Sequence, residues 1–343
     1  MTNFSKEMKS PFFLNGSQNE TQTQPSKQGM ETQNATSLME FVLLGLLKHT
    51  KVHTVFLAMI LLAFITALTG NALLLFLIQV DSRLHTPMYF FLSQLAFTDI
   101  AQGFVIIPKM SADFLIPGNP ISVTECGVQI FLMMTMGGAD CLLLTVMSYD
   151  RYIAICKPLQ YPILMSRNIC FLLTAVVWIG GSVNALIHVA FTLAFPHCGS
   201  KEIDHFFCEI PALLKLSCSD TSRYETTVLV SGIVLLLIPS SIIIASYTHI
   251  LSAVLRMRTK STRGQQKALA TCSSHLTVVG LFYGAGIFMY MRPSAYHSPE
   301  QDKIVSLFYT IVTPVLNPFI YSLRNKDVLG ALRNLVGKCR VLQ

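Results

Sequence analysis

The chain has 343 residues, 52% of them hydrophobic and only 13% charged, with a formal net charge of +7. Soluble domains carry about a quarter of their residues as charged side chains, which excludes an ordinary soluble protein and points to one polytopic membrane bundle. The basic excess follows membrane sidedness, as the chain order shows, and is not the footprint of a nucleic-acid binder.

Residues 1–39 are rich in Asn, Gln, Ser, Thr and Lys, with little that could form a core, and are expected to be disordered. They lack the apolar stretch and small-residue site of a cleavable signal peptide. The chain's four Asn-x-Ser/Thr sequons, at Asn3, Asn15, Asn19 and Asn34, all fall here, which predicts a glycosylated N-terminus outside the cell.

Seven apolar segments follow: Thr54 to Val80, Met88 to Met110, Gly127 to Tyr149, Ile169 to Phe195, Thr226 to Ile250, Ala268 to Met291 and Ile304 to Leu323. Each has roughly the 20 residues that a hydrocarbon core of ~30 Å needs at 1.5 Å per residue. The expected fold is an all-α membrane protein, a seven-transmembrane helix bundle with a short amphipathic C-terminal helix. Its layout is a glycosylated tail (1–53), a membrane domain (54–323) and a cytoplasmic helix and tail (324–343). With the N-terminus outside, the inner segments hold 14 of the 25 Lys and Arg residues and only three acids, a formal +11, so the positive-inside rule agrees. Beyond Leu323, Val328, Leu329, Leu332, Leu335 and Val336 recur at helical spacing between basic residues, which predicts a helix on the inner leaflet over Asn325 to Val341. Cys339 is a candidate for palmitoylation, with an unmodified thiol as the alternative.

The stretch Met147 to Tyr161 places Asp150-Arg151-Tyr152 where the third span leaves the membrane, followed by Lys157-Pro158. An arginine there can be held by its neighbouring acid in one state and released to a cytoplasmic partner in another. Asp99 and Asp140 lie inside spans, where an acid costs roughly 2.5 to 3.5 kcal/mol on insertion scales, so a compensating polar site is expected. Asn71 and Asn317 are its candidate neighbours, with Ser93 and Ser274 as extensions. The cluster is either a static polar plug or a site whose protonation or sodium binding changes with state. Pro314 and Pro318 interrupt the seventh span, and Tyr321 follows Asn317 by one turn, which reads as a deformable joint.

One face of the outer third span offers Ile130, Met133, Met134, Gly137, Gly138 and Cys141, with no charge. The glycines leave space and methionine adapts to a ligand's shape. Tyr283 and Tyr290, seven apart in the sixth span, together with Ser231 and Leu235 in the fifth, are expected to complete a pocket wall. Without an acid, that pocket favours a small, neutral, hydrophobic molecule over an amine. Cys126, Cys198, Cys208 and Cys218 fall in outer segments, where disulfides persist, and the spacing leaves all three pairings open. His205-Phe206-Phe207-Cys208-Glu209 invites a metal-site reading only if Cys208 is a free thiolate.

The order of motifs resembles a rhodopsin-like (class A) G-protein-coupled receptor, and within that group an olfactory receptor. The resemblance runs from Glu40 to Asn325. It rests on Phe41 with Leu43-Leu44-Gly45, Gly70-Asn71, Leu84-His85-Thr86-Pro87-Met88-Tyr89, Met147 to Tyr161, Ser246-Tyr247, Lys267-Ala268 with Thr271 to Thr277, and Pro314 to Asn325. It implies an odorant receptor in the plasma membrane, not an enzyme, that raises cAMP through a heterotrimeric stimulatory G protein of the olfactory type. Arg151 is then the G-protein-facing switch and Asp150 its resting partner. Tyr247 and Tyr321 stabilise the open state, and Lys267 to His275 supply the moving end of the sixth helix. Tyr152, Asn317 and Pro318 belong to the same machinery. The resemblance also pairs Cys126 with Cys208 and Cys198 with Cys218; the second pair closes a 20-residue separation worth roughly 3 kcal/mol in the chain-entropy model.

Ser148 stands where the family has Ala and Asp140 where it has Glu, and Leu251 to Gln266 contains no acid. Arg151 therefore finds no partner in that inner loop, and Asp150 is expected to restrain it alone. Met30 to Thr36 looks like the family's usual start, so residues 1–29 read as an extension that translation sometimes bypasses. The alternatives are a class A receptor for a non-odorant ligand and, less well supported, a polytopic transporter; no internal repeat is evident.

Overall fold

The computed structural model describes residues 40–46, 53–196, 200–256, 262–292, 296–323 and 325–341. Asn3, Asn15, Asn19, Asn34, Met30 and Cys198 lie outside the described residues, as do the side chains of Lys267 and Cys339.

Among the described residues, seven helices are long and apolar enough to cross a membrane. They are α1 (His53–Val80), α2 (Pro87–Leu115), α3 (Val123–Cys156), α4 (Arg167–Ala194), α5 (Ser222–Arg256), α6 (Thr262–Tyr290) and α7 (Pro299–Leu323); α8 (Lys326–Val341) follows. The polarity is that of a membrane bundle. Leu62, Leu172 and Ile244 face outward, whereas Asn71, Asp99, Asp140 and His188 are buried between helices.

Local chemistry sets the ends. Pro87 and Pro299 occupy first helical positions, where their missing N–H costs nothing. α3 begins four residues before the expected Gly127 because Ser122 and Glu125 form a capping box: the Ser122 hydroxyl accepts from Glu125 N–H at 3.1 Å, and the Glu125 carboxylate from Ser122 N–H at 2.9 Å. It runs seven residues beyond Tyr149 and stops just before Pro158. α5 contains one π-helical turn, Ile233–Leu237, and α7 another, Phe308–Val312. The amphipathic α8 buries Val328 and Ala331 against the bundle.

α3 and α4 cross through glycines. A Cβ on Gly181 would sit 2.6 Å from the Thr135 carbonyl oxygen, and one on Gly138 would sit 3.1 Å from Gly181 Cα. Glycine is what permits this separation.

At the end of the bundle where α3 starts, β1 (Glu40–Leu43) pairs antiparallel with β2 (Pro120–Ser122) and parallel with β3 (Glu202–Ile203) in the order β2-β1-β3. The Cys126–Cys208 disulfide pins the α4–α5 connection to α3 at a Cα–Cα distance of 5.4 Å. Phe41, Ile121, Ile203 and Leu213 pack around it. Cys218 is disulfide-bonded too.

Candidate functional site

Beneath the disulfide a cavity of about 700 Å³ opens between α3, α4, α5, α6 and α7. Of the residues expected there, Ile130, Met133, Met134, Gly137, Gly138, Cys141, Ser231, Leu235 and Tyr290 line it. Tyr283 does not. Its ring is buried against α3, where its hydroxyl donates to the Cys141 carbonyl at 2.7 Å and lies 3.2 Å from the Thr145 hydroxyl. Tyr283 and Tyr290 share a helix face, but the lower one is consumed by a helix–helix contact.

The cavity is not free of acids, contrary to the sequence reading. The disulfide carries the neighbouring Glu209 into the wall, where it is 3% exposed. Its carboxylate accepts from Ser306 at 2.6 Å, Tyr309 at 2.5 Å and Tyr290 at 3.4 Å. The His205 ring lies 2.9 Å away, out of line for a hydrogen bond. Burial alone would raise the Glu209 carboxyl; the His205 ring and the Ser306 and Tyr309 hydroxyls outweigh it and hold it below the ordinary value of 4.5. The basic groups of the wall are also engaged. Asp302 takes Arg292 at 2.6 Å and His297 at 2.9 Å, with Lys215 at 3.7 Å.

α4 supplies wall residues that the sequence reading omits. His188 places Nδ1 at 2.8 Å from the Tyr224 hydroxyl and Nε2 at 3.0 Å from the Ser231 hydroxyl. Asn184 lines the cavity one turn away. The available signal is the pair of polar residues four apart in an otherwise apolar span, which puts both on one face.

Deeper in the bundle, the two buried acids have separate partners. Asn317 donates its amide to both Asp99 oxygens, at 3.2 and 2.9 Å, while Thr98 (2.6 Å) and Gln102 (2.8 Å) donate to Asp140. Asn71 donates to the Pro314 carbonyl at 3.1 Å, so it secures α7 next to the proline and not an acid. Ser93 bonds within its own helix, to the Phe90 carbonyl at 2.7 Å. Thr98 and Gln102 went unread because each is ordinary in isolation. Among the described residues, no three His, Cys, Asp or Glu side chains gather as a metal site requires, and the bonding of Cys208 to Cys126 removes the thiolate the metal reading needed.

At the far end, Arg151, His275 and Tyr321 converge on a second cavity of only about 20 Å³. The Arg151 Nε lies 3.5 Å from Asp150 Oδ2, and Tyr161 donates to Asp150 Oδ1 at 2.8 Å. The Tyr247 hydroxyl is 2.8 Å from His275 Nδ1, while the Tyr321 hydroxyl is buried without a hydrogen-bond partner among the described residues. Tyr152 packs beside His249, with the Lys157 ammonium 5.9 Å from its ring centroid. Ser148, the departure from the family's Ala, is fully buried and donates to the Thr145 carbonyl at 2.8 Å, so its hydroxyl is satisfied within α3.

The sequence profile described as "Olfactory receptor" matches residues 60–338. Human olfactory receptor 2T27 is 54% identical over 310 residues, covering 90% of this chain and 97% of its own length. Human olfactory receptor 2Z1 is 52% identical over 310 residues, 90% of this chain and 98% of its own. Human olfactory receptor 2T7 is 56% identical over 290 residues, 84% of this chain and 94% of its own. A match of that extent, on a bundle of seven membrane helices, places the chain in the olfactory receptor family, whose members are receptors and not enzymes.

Proposed function

We propose that this chain is an odorant receptor that binds a small, neutral, largely hydrophobic volatile in the cavity beneath the disulfide and activates a stimulatory, olfactory-type G protein to raise cAMP. The observation that carries this reading is the cavity itself. At about 700 Å³ it has the size of a small-molecule site, and its buried Glu209 and half-buried Arg292 are already paired within the protein. A charged ligand would have to take Glu209 or Arg292 from partners at hydrogen-bonding distance. An apolar ligand displaces only water.

The disulfide end, with the tail of residues 1–53 and its sequons, faces outward in this reading, and residues 324–343 lie at the cytoplasmic leaflet; the formal +11 on the inner segments supports that orientation. Arg151 is the group presented to the G protein, with Lys267 to His275 as the moving end of α6. Asp99, Asp140 and Asn317 offer the hard oxygen donors that sodium prefers, and the Asn317 carbonyl oxygen is buried beside Asp99 with no hydrogen-bond partner among the described residues, which suits a cation there. The test is a panel of volatiles on cells expressing the full chain, read as cAMP, with Arg151→Ala as the uncoupled variant. The wild type should respond to a subset in a dose-dependent way and Arg151→Ala should stay silent at equal surface expression. Silence of the wild type to the whole panel, or a response that survives in Arg151→Ala, overturns the reading.

A further inference from the structure

Glu225 lines the cavity from an exposed position, where among the described residues its carboxylate takes only the Thr221 hydroxyl at 3.2 Å, whereas the buried Glu209 and half-buried Arg292 are paired. Deep in the cavity a ligand's polar atom therefore meets neutral groups with spare hydrogen-bonding capacity. Several neutral polar wall residues commit a donor to a buried acid. Gln102 donates to Asp140, and Tyr290 and Tyr309 donate to Glu209. The α4–α5 wall differs.

Ser231 has one side-chain partner, His188 Nε2 at 3.0 Å. A hydroxyl has one donor and two acceptor sites, so either direction of that bond leaves Ser231 at least one site open to the cavity. The Asn184 amide, on the same face of α4, makes no hydrogen bond among the described residues. His188 itself is 2% exposed and both its ring nitrogens are occupied, so it offers a ligand no hydrogen bond of its own. It is fixed from behind: Tyr224 is completely buried, packs edge-on to the His188 ring at 5.6 Å and is flanked by Phe191 and Phe195. The chain Tyr224–His188–Ser231 therefore holds one hydroxyl in a set orientation at the edge of an apolar cavity.

We propose that Ser231 and Asn184 are the polar anchor of this cavity and that His188 is the positioning residue that orients Ser231. The ligand class is then an oxygenated hydrocarbon, an alcohol, aldehyde or ketone, whose one polar oxygen sits on the α4–α5 wall while its chain lies against Met133, Met134 and Leu235. This rests on the odorant-receptor reading given above and narrows it.

The experiment uses the full chain in cells, with surface expression and cAMP measured for straight-chain compounds of equal carbon number ending as hydrocarbon, alcohol, aldehyde, ketone, acid or amine. The wild type should respond best to the alcohol, aldehyde or ketone, with the hydrocarbon at least roughly tenfold weaker. Ser231→Ala should raise the EC50 of that agonist about fivefold to tenfold, the effect of one neutral hydrogen bond, and Asn184→Leu should act in the same direction. His188→Leu should reproduce the Ser231→Ala shift without adding to it in the double variant, and His188→Gln, which keeps a donor and an acceptor, should recover most of the response. A purely structural role for His188 would instead add to Ser231→Ala and would not be rescued. A responding wild type whose EC50 is unmoved by both Ser231→Ala and Asn184→Leu, or whose strongest agonist is the hydrocarbon, acid or amine, overturns the anchor alone. A wild type silent to all volatiles overturns the receptor reading and the anchor with it.

Discussion

Asp150 divides its carboxylate between two neighbours of different kinds. Oδ1 takes the Tyr161 hydroxyl, whereas Oδ2 faces Arg151 at 3.5 Å with no hydrogen bond, so the ion pair is electrostatic and loosely held. Tyr161, ten residues beyond Arg151 and past the end of the helix, is invisible to a reading of the acid–arginine pair alone. A hydrogen bond to a charged group contributes about 1.5–3 kcal/mol, enough to move a two-state equilibrium by tenfold or more. Asp150→Asn should therefore raise basal cAMP at matched surface expression, and Tyr161→Phe should raise it in the same direction by less; basal signalling unchanged in both would remove the restraint. Glu209 makes a pH prediction of the opposite kind. Its carboxyl is held below 4.5, so the stability it contributes is present above that range and is lost only as pH falls through the lowered folded value. Thermal stability of the purified receptor should not fall through this group between about pH 7.5 and about pH 5.5; an acid-induced loss in that window that disappears in Glu209→Gln would contradict the assignment. Neither Glu209 nor His188 was legible as a cavity residue. One depends on where a distant disulfide places its neighbour, and the other on a partner in a different helix.

The helices are the part most directly written in the sequence, because hydropathy over about 20 residues needs no tertiary information. The amphipathic α8, expected from Asn325 and observed from Lys326, was legible for the same reason. The sheet was not. Strands of four, three and two residues carry no usable period, and β1 pairs with residues some 80 and 160 positions away. Nor did the glycines announce their purpose: Gly138 reads as space for a ligand, and it does line the cavity, but its other side is the backbone of α4. Gly181→Ala should lower thermal stability by about 1–3 kcal/mol, since its Cβ meets a carbonyl oxygen that cannot swing aside. Gly280→Ala, with nothing within 4 Å of its Cβ, is the matched control and should leave stability nearly unchanged or slightly raised. Equal melting of the two variants in detergent would mean that the α3–α4 crossing is softer than drawn.

Taken whole, the molecule is tied together through side chains that bridge neighbouring elements. Cys208 fixes the α4–α5 connection to α3, and the next residue, Glu209, gathers α6 and α7 around the cavity. Closing a separation of 82 residues is worth about 4–5 kcal/mol in chain-entropy terms. Cys126→Ser should therefore cost surface delivery as well as ligand response, and a variant that reaches the surface with an unchanged EC50 would show that Glu209 keeps its place without the disulfide. The π turn in α5 has a different kind of consequence, one of phase. Ser231 precedes it and Tyr247 follows it by ten residues. In a uniform α-helix those 16 positions would put the two side chains about 160° apart, one toward the bundle and the other toward lipid. One wide turn holds about one residue more than an α turn and takes back roughly 90°. That is why a single helix can aim Ser231 at His188 near one end and Tyr247 at His275 near the other. The extra residue works as a vernier between the cavity end of α5 and the end that meets His275, and removing it would leave each end intact while setting them out of step.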